Sequence, residues 1–132
     1  MTKPDRTAQE EANLRLVANM YEDVLKPLDS ARVDDYFPPG YIQHNPMAAT
    51  GSAGLKAFLD WARSTNPDAE HHVKRLFADG DVVIAHVHLT INPEERGNAV
   101  VDIFRIENGL IAEHWDVAQP VPAESANQNG MF

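Results

Sequence analysis

At Pro67 the spacing of apolar residues changes, and with it the kind of structure this chain can form. Before it, Leu14, Val17, Ala18, Tyr21 and Val24 recur at three- and four-residue intervals, the buried stripe of a helix over residues 7–25. After it the period falls to two, and β-branched residues gather at Val82-Val83-Ile84, Val87 and Val100-Val101-Asp102-Ile103, as on strands with one buried face. A chain that is helical first and stranded afterwards belongs to the α+β class.

Punctuation refines this. Lys26-Pro27 ends the first helix, and Asp29 or Ser30 can cap a shorter one that Pro38-Pro39-Gly40 breaks. Tyr41-Ile42-Gln43-His44-Asn45 reads as a brief extended segment stopped by Pro46. Ser52 is expected to cap a third helix bearing Leu55, Phe58, Leu59 and Ala62, which ends at Asn66-Pro67. Turn residues at 78–81, 92–98 and 107–109 divide the remainder into an antiparallel meander. The expected architecture is a cone, with the N-terminal helices packed in the concave face of a curled antiparallel sheet. The 132 residues suit a single domain spanning 1–132, whose tail over 120–132 is expected to be irregular and to run over the surface.

Eleven Lys and Arg against twenty Asp and Glu give a net charge of −9, which repels phosphate backbones and anionic headgroups; neither nucleic acid nor a membrane surface is an expected partner. Cysteine is absent, which removes disulfides, thiolate metal sites and a cysteine nucleophile. Met1 to Arg6 do not resemble an export signal and no long apolar run occurs, so the cytoplasm is the expected location. There is no glycine-rich phosphate loop and no Gly-x-Ser-x-Gly elbow.

Chemistry concentrates on the last strand, where Ala112, His114 and Asp116 share one face and Glu113, Trp115 and Val117 the other. A three-residue hairpin loop Glu107-Asn108-Gly109 would set Asp102 opposite His114 on that same face. A two-residue Asn108-Gly109 turn would send Asp102 to the other face. Both registers remain open. A carboxylate inside an apolar cavity has its ionisation penalised and so becomes suited to moving protons; the competing account of Asp116 is a structural ion pair with His114 or Arg105. His44 and Asn45 could bind a carbonyl or enolate oxygen, with turn capping an equal alternative for Asn45. His86 and His88 are expected to face away from the core. Together with His72 or His114 they would make a metal site only if further ligands joined them. His71-His72 beside Lys74 and Arg75 reads as a solvated strand start.

Three segments, Tyr41-Ile42-Gln43-His44-Asn45-Pro46, Val100 to Gly109, and Ile111-Ala112-Glu113-His114-Trp115-Asp116, resemble the SnoaL-like polyketide-cyclase family of the NTF2-like superfamily, in particular its stand-alone members described as aldol-condensation enzymes. That resemblance runs from the first helix to Met131-Phe132. It implies the NTF2-like cone, a homodimer, no required metal or organic cofactor, and a small hydrophobic carbonyl-containing ligand. Asp116 occupies the position of the aspartate that exchanges protons during aldol ring closure, with Asp102 and His114 as further catalytic candidates. Asp102 stands where cyclases often carry His. Tyr41, His44, Asn45 and Trp61 are the expected substrate-binding residues. A non-catalytic binding or dimerisation module and an epoxide hydrolase or isomerase are the alternatives, since fold does not fix reaction. The homodimer is expected across the outer sheet face, which carries His86, His88 and Trp115.

Overall fold

A computed structural model describes residues 5–132; the reading of residues 1–4 as unlike an export signal lies outside the described residues. Thr7 opens helix α1 (Ala8–Met20) with a capping box, its hydroxyl accepting from the Glu10 amide while the Glu10 carboxylate accepts from the Thr7 amide. Leu14, Val17 and Met20 lie buried along it. The helix then widens into a π-helical turn, Tyr21–Leu25, which carries the buried Tyr21 and Val24. A short 3-10 helix, Ser30–Asp35, follows, with Asp29 accepting from the Ala31 amide.

Helix α2 (Ser52–Thr65) starts differently from the sequence expectation. Gly51, not Ser52, is its N-cap, at φ 88° and without a side-chain cap. That backbone region suits glycine. The Gly51 amide donates to the Tyr41 carbonyl at 2.7 Å, which ties the start of α2 to the extended segment before it.

The strands β2 (Glu70–Asp79), β3 (Val82–Thr90), β4 (Asn98–Glu107) and β5 (Leu110–Pro120) form the expected antiparallel meander. The short β1 (Ile42–Gln43) corrects the all-antiparallel expectation: it lies parallel to β5, with Ile42 beside Glu113 and Gln43 beside His114. The sheet order is therefore β1-β5-β4-β3-β2, a mixed, unclosed sheet. Parallel pairing needs a long crossover, which α2 and the meander supply. Val83, Ala85, Val87 and Phe104 of the inner face join Val17, Met20, Leu55 and Leu59 of the helices in one buried core. This is the α+β NTF2-like cone. Leu59 is fully buried, so its truncation to Ala should cost about 2–5 kcal/mol.

Turn and register at the last hairpin combine both sequence alternatives. The turn is two-residue, Glu107 pairing Leu110, with Asn108 and Gly109 both at positive φ (52° and 74°). A bulge then intervenes, because Ile106 pairs Ile111 but Arg105 pairs Glu113. The extra residue, Ala112, restores the phase that the short turn would have lost. Asp102 thus comes to lie opposite Asp116, and Phe104 opposite His114.

β5 takes in Pro120, and the chain beyond it has no regular element and returns to the outer face of the sheet. The Phe132 ring stacks on His88 (4.4 Å between centroids, 28°) and tilts over His86 at 5.4 Å. Among the described residues no helix is long and apolar enough to cross a membrane.

Candidate active site

Between the helices and the inner face lies a cavity of about 510 Å³, within the range of small-molecule sites. Its wall is mostly apolar, and Asp102, His114 and Asp116 reach it from β4 and β5. The bulge at Ala112 is what brings these three to one wall.

Hydrogen bonds fix how the groups are oriented. The Asn45 amide N–H donates to Gln43 Oε1 (3.1 Å) and Gln43 Nε2 donates to the Tyr41 hydroxyl (2.9 Å), so the Gln43 carboxamide cannot be reversed without losing both. His114 Nδ1, 2.7 Å from Gln43 Oε1, must therefore donate. Its Nε2 faces Asp102 Oδ1 at 2.9 Å, and that pair holds one proton between them. Asp102 Oδ2 accepts from the Tyr21 hydroxyl. Asp102 and His114 are both buried.

Asp116 is held more loosely. Asn45 Oδ1 accepts from the Met47 amide at 2.8 Å, which turns Asn45 Nδ2 toward Asp116 Oδ2, where it donates at 2.7 Å. Of the alternatives posed for Asn45, turn capping is what its Oδ1 does, while the Nδ2 that could have met a carbonyl or enolate oxygen donates to the Asp116 carboxylate. His114 Nε2 stands 3.9 Å from the same Asp116 oxygen. The other oxygen, Oδ1, has no hydrogen bond among the described residues, and Asp116 lines the cavity. Arg105 is not its partner, being engaged with Glu113 at 2.9 Å and Glu107 at 3.3 Å.

Burial raises the Tyr41 phenol above its ordinary range, and the nearby Asp102 and Asp116 charges add to the shift. Burial and then Asp102 act on Tyr21 in the same direction. Both phenols therefore stay protonated donors. Tyr21 spends its hydrogen on Asp102, whereas Tyr41 accepts from Gln43 and keeps its own to give.

Of the residues expected at the site, Asp102, His114, Asp116, Tyr41, Asn45 and Trp61 line the cavity, with Trp61 half exposed. His44 is placed apart from them. Its ring stacks on Trp115 (5.0 Å, 3°) and its Nε2 pairs with Glu113 Oε2 at 2.7 Å, because the neighbour of an inward Gln43 and Asn45 must point outward. This contact and the one from Arg105 hold the Glu113 carboxyl below its usual range. His86 and His88 face outward as expected. His88 Nε2 donates to the Arg96 carbonyl at 2.7 Å and His86 Nδ1 accepts from Arg75. Asp102, His114 and Asp116 each offer an atom within 4.8 Å of the others, the constellation among the described residues that could hold a cation. Both Asp102 oxygens are engaged, by Tyr21 and His114, and Asp116 Oδ2 by Asn45, which leaves Asp116 Oδ1 as the carboxylate oxygen of the three residues without a hydrogen bond among the described residues.

Sequence reading missed Tyr21, Gln43 and His71. Tyr21 was legible as core, and a buried phenol needs a hydrogen-bond partner. His71 corrects the solvated-strand reading: it lies opposite Leu89 on the inner face, its ring lines the cavity, and its Nδ1 is buried without a partner. The signal was Val73, two residues on, since alternation puts both on one face.

No curated protein matches the sequence. Among solved structures, TsrD of Streptomyces laurentii is similar at 25% identity and TM-score 0.62, covering 88% of this chain and 91% of its own. A candidate polyketide cyclase of Bacillus cereus superposes at TM-score 0.74 and 19% identity, covering 88% of this chain and 80% of its own. A candidate SnoaL-like polyketide cyclase of Jannaschia superposes at 0.71 and 20%, covering 88% and 91%. The last two show the fold. The family model of the SnoaL-like domain matches residues 17–114, a span that takes in Asp102 and His114 and stops two residues before Asp116. With that match over most of its length and the cone to go with it, the chain belongs to the SnoaL-like domain family.

Proposed function

We propose that the cavity carries acid/base chemistry on a small, mainly apolar carbonyl compound, with Asp116 as the group that moves the proton. The observation that carries this reading is the asymmetry of Asp116, one oxygen held by Asn45 and the other free at an apolar cavity wall. Asp116 takes a proton from the carbon alpha to a carbonyl. The enolate oxygen so formed meets the Tyr41 hydroxyl, the donor left over from the Gln43 bond. The enolate carbon then attacks a second carbonyl of the same molecule, forming one carbon–carbon bond, and the resulting alkoxide takes back the proton from Asp116. The new carbon–carbon bond forms as the second carbonyl's π bond becomes the alkoxide, with no net oxidation or reduction, so the step calls for no redox cofactor. Asp102 and Tyr21 act at one remove, as positioning residues that set the His114 ring beside Asp116. The Bacillus and Jannaschia neighbours carry the name polyketide cyclase, which supports a ring closure, and the aldol route is the proposal's own.

The direct opposition of Asp102 and Asp116 favours a second reading, in which Asp116 activates a water while Asp102 passes a proton to an opening epoxide. Transfer of solvent deuterium to the alpha carbon of a bound ketone, lost in Asp116→Asn, tests the first reading. Absence of any exchange in the wild type leaves the hydrolase or a non-catalytic module.

The second part of the proposal is a homodimer across the outer face of the sheet. Phe77, Val101 and Val117 are exposed there, with Val101 and Val117 directly paired.

A further inference from the structure

The cavity has a second polar region. His71, Leu89 and Asn98 are cross-strand neighbours on the inner face of β2, β3 and β4, and Asn66, at the end of α2, lines the cavity with them. The side chains at the Asp116 end are tied to one another, whereas none of His71, Asn66 and Asn98 makes a side-chain hydrogen bond among the described residues. His71 Nδ1 is the buried side-chain nitrogen left without a partner. A half-turn about its Cβ–Cγ bond exchanges the position of that nitrogen with ring carbon. A histidine among inward-facing apolar residues forgoes the burial a leucine would give, so a ligand group that pairs with it offsets that cost.

We propose that His71, supported by Asn66 and Asn98, forms a second subsite that binds an oxygen function, a hydroxyl or carbonyl, at the far end of the ligand from its reacting carbonyl. Asn98 and Asp102 are four residues apart on β4, which at the rise of a strand places the two polar ends on the order of 13 Å apart between backbones. The ligand class is therefore an elongated, mostly apolar molecule oxygenated at both ends. Burial holds the His71 ring below its ordinary range, against the pull of Asp102, so it meets the ligand neutral and can donate through one nitrogen and accept through the other. The inference rests on the reading of the cavity as a ligand site but not on proton transfer at Asp116.

The test uses two ketones, an acetylnaphthalene and its derivative with a hydroxyl on the far ring, titrated into the full chain. The wild type should bind the hydroxy ketone roughly three- to tenfold more tightly, the range of one neutral hydrogen bond. His71→Phe should erase that preference, His71→Gln should keep part of it, and Asp116→Asn should keep all of it while losing deuterium exchange. Equal binding of the two ketones by the wild type, or a preference that survives His71→Phe, overturns the subsite alone. If neither ketone binds, the cavity reading falls and this inference with it. Should His71→Phe not fold, the imidazole ¹⁵N resonances of wild-type His71 decide: they should move with the hydroxy ketone and not with its parent, and identical responses overturn the proposal.

Discussion

Asn45 and Asp116, 71 residues apart in sequence, meet at 2.7 Å because the Met47 amide fixes one end of the Asn45 carboxamide and leaves the other for the carboxylate. Removing that donor should leave Asp116 in place but misaimed. A hydrogen bond to a charged group is worth about 1.5–3 kcal/mol, so Asn45→Ala should slow exchange by roughly ten- to a hundredfold. Rates measured by proton NMR in heavy water check this, and an unchanged rate would remove Asn45 from the machinery.

Tyr21 donates to Asp102 from a π-helical turn at the end of α1. Tyr21→Phe keeps the ring and its edge-on contact with Phe104 while leaving a buried carboxylate oxygen short of a donor. The expected loss is about 1–3 kcal/mol in urea unfolding. A stability equal to wild type would mean that Asp102 does not depend on this bond.

His71 gives the stability a pH dependence of known sign. Its folded value lies below the ordinary 6.5, chiefly through burial. As pH falls below 6.5 the unfolded chain takes up a proton that the folded one refuses. The contribution is therefore fully present above 6.5 and is lost as pH falls through the lowered value. Unfolding free energies of wild type and His71→Phe compared from pH 7.5 downward, over about two units, should show a shallower acid loss in the variant. Parallel curves would contradict the burial of this ring.

For the outer face, Val117→Lys places a charge in the exposed Val101–Val117 pair. If this face is a dimer interface, sedimentation equilibrium should show the variant dissociating at least about tenfold more readily, as a buried unpaired charge costs several kcal/mol. A wild type that sediments as a monomer at micromolar concentration removes the interface.

The core was legible because its signal is local. The alternation of Val83, Ala85 and Val87 and the stripe Leu14, Val17, Tyr21, Val24 each state which face is buried, and all of these residues are in the core. Asp116 was legible from the same alternation once a cavity was assumed. The register that puts Asp102 across from it was not, because a bulge at Ala112 depends on which residues best fill the inner face after a two-residue turn, and no local pattern marks it. Pairing of β1 with β5 joins segments some seventy residues apart, again beyond local pattern, and that pairing decides that Gln43 and Asn45 face His114 and Asp116 while His44 faces Glu113. His71 was missed for another reason: basic neighbours outweighed the alternation that placed it inside.

The central claim is that Asp116 moves a proton at carbon, and the most direct measurement is solvent deuterium incorporation into a bound ketone, taken with the affinity for the same ketone. Asp116→Asn keeps the shape and the contact with Asn45 but cannot accept and return a proton. The account predicts exchange by the wild type, a loss of about 10²- to 10⁴-fold in the variant, near-equal affinities, and no effect of a chelator on either. Exchange that persists in Asp116→Asn, or that vanishes from the wild type on chelation, would contradict it.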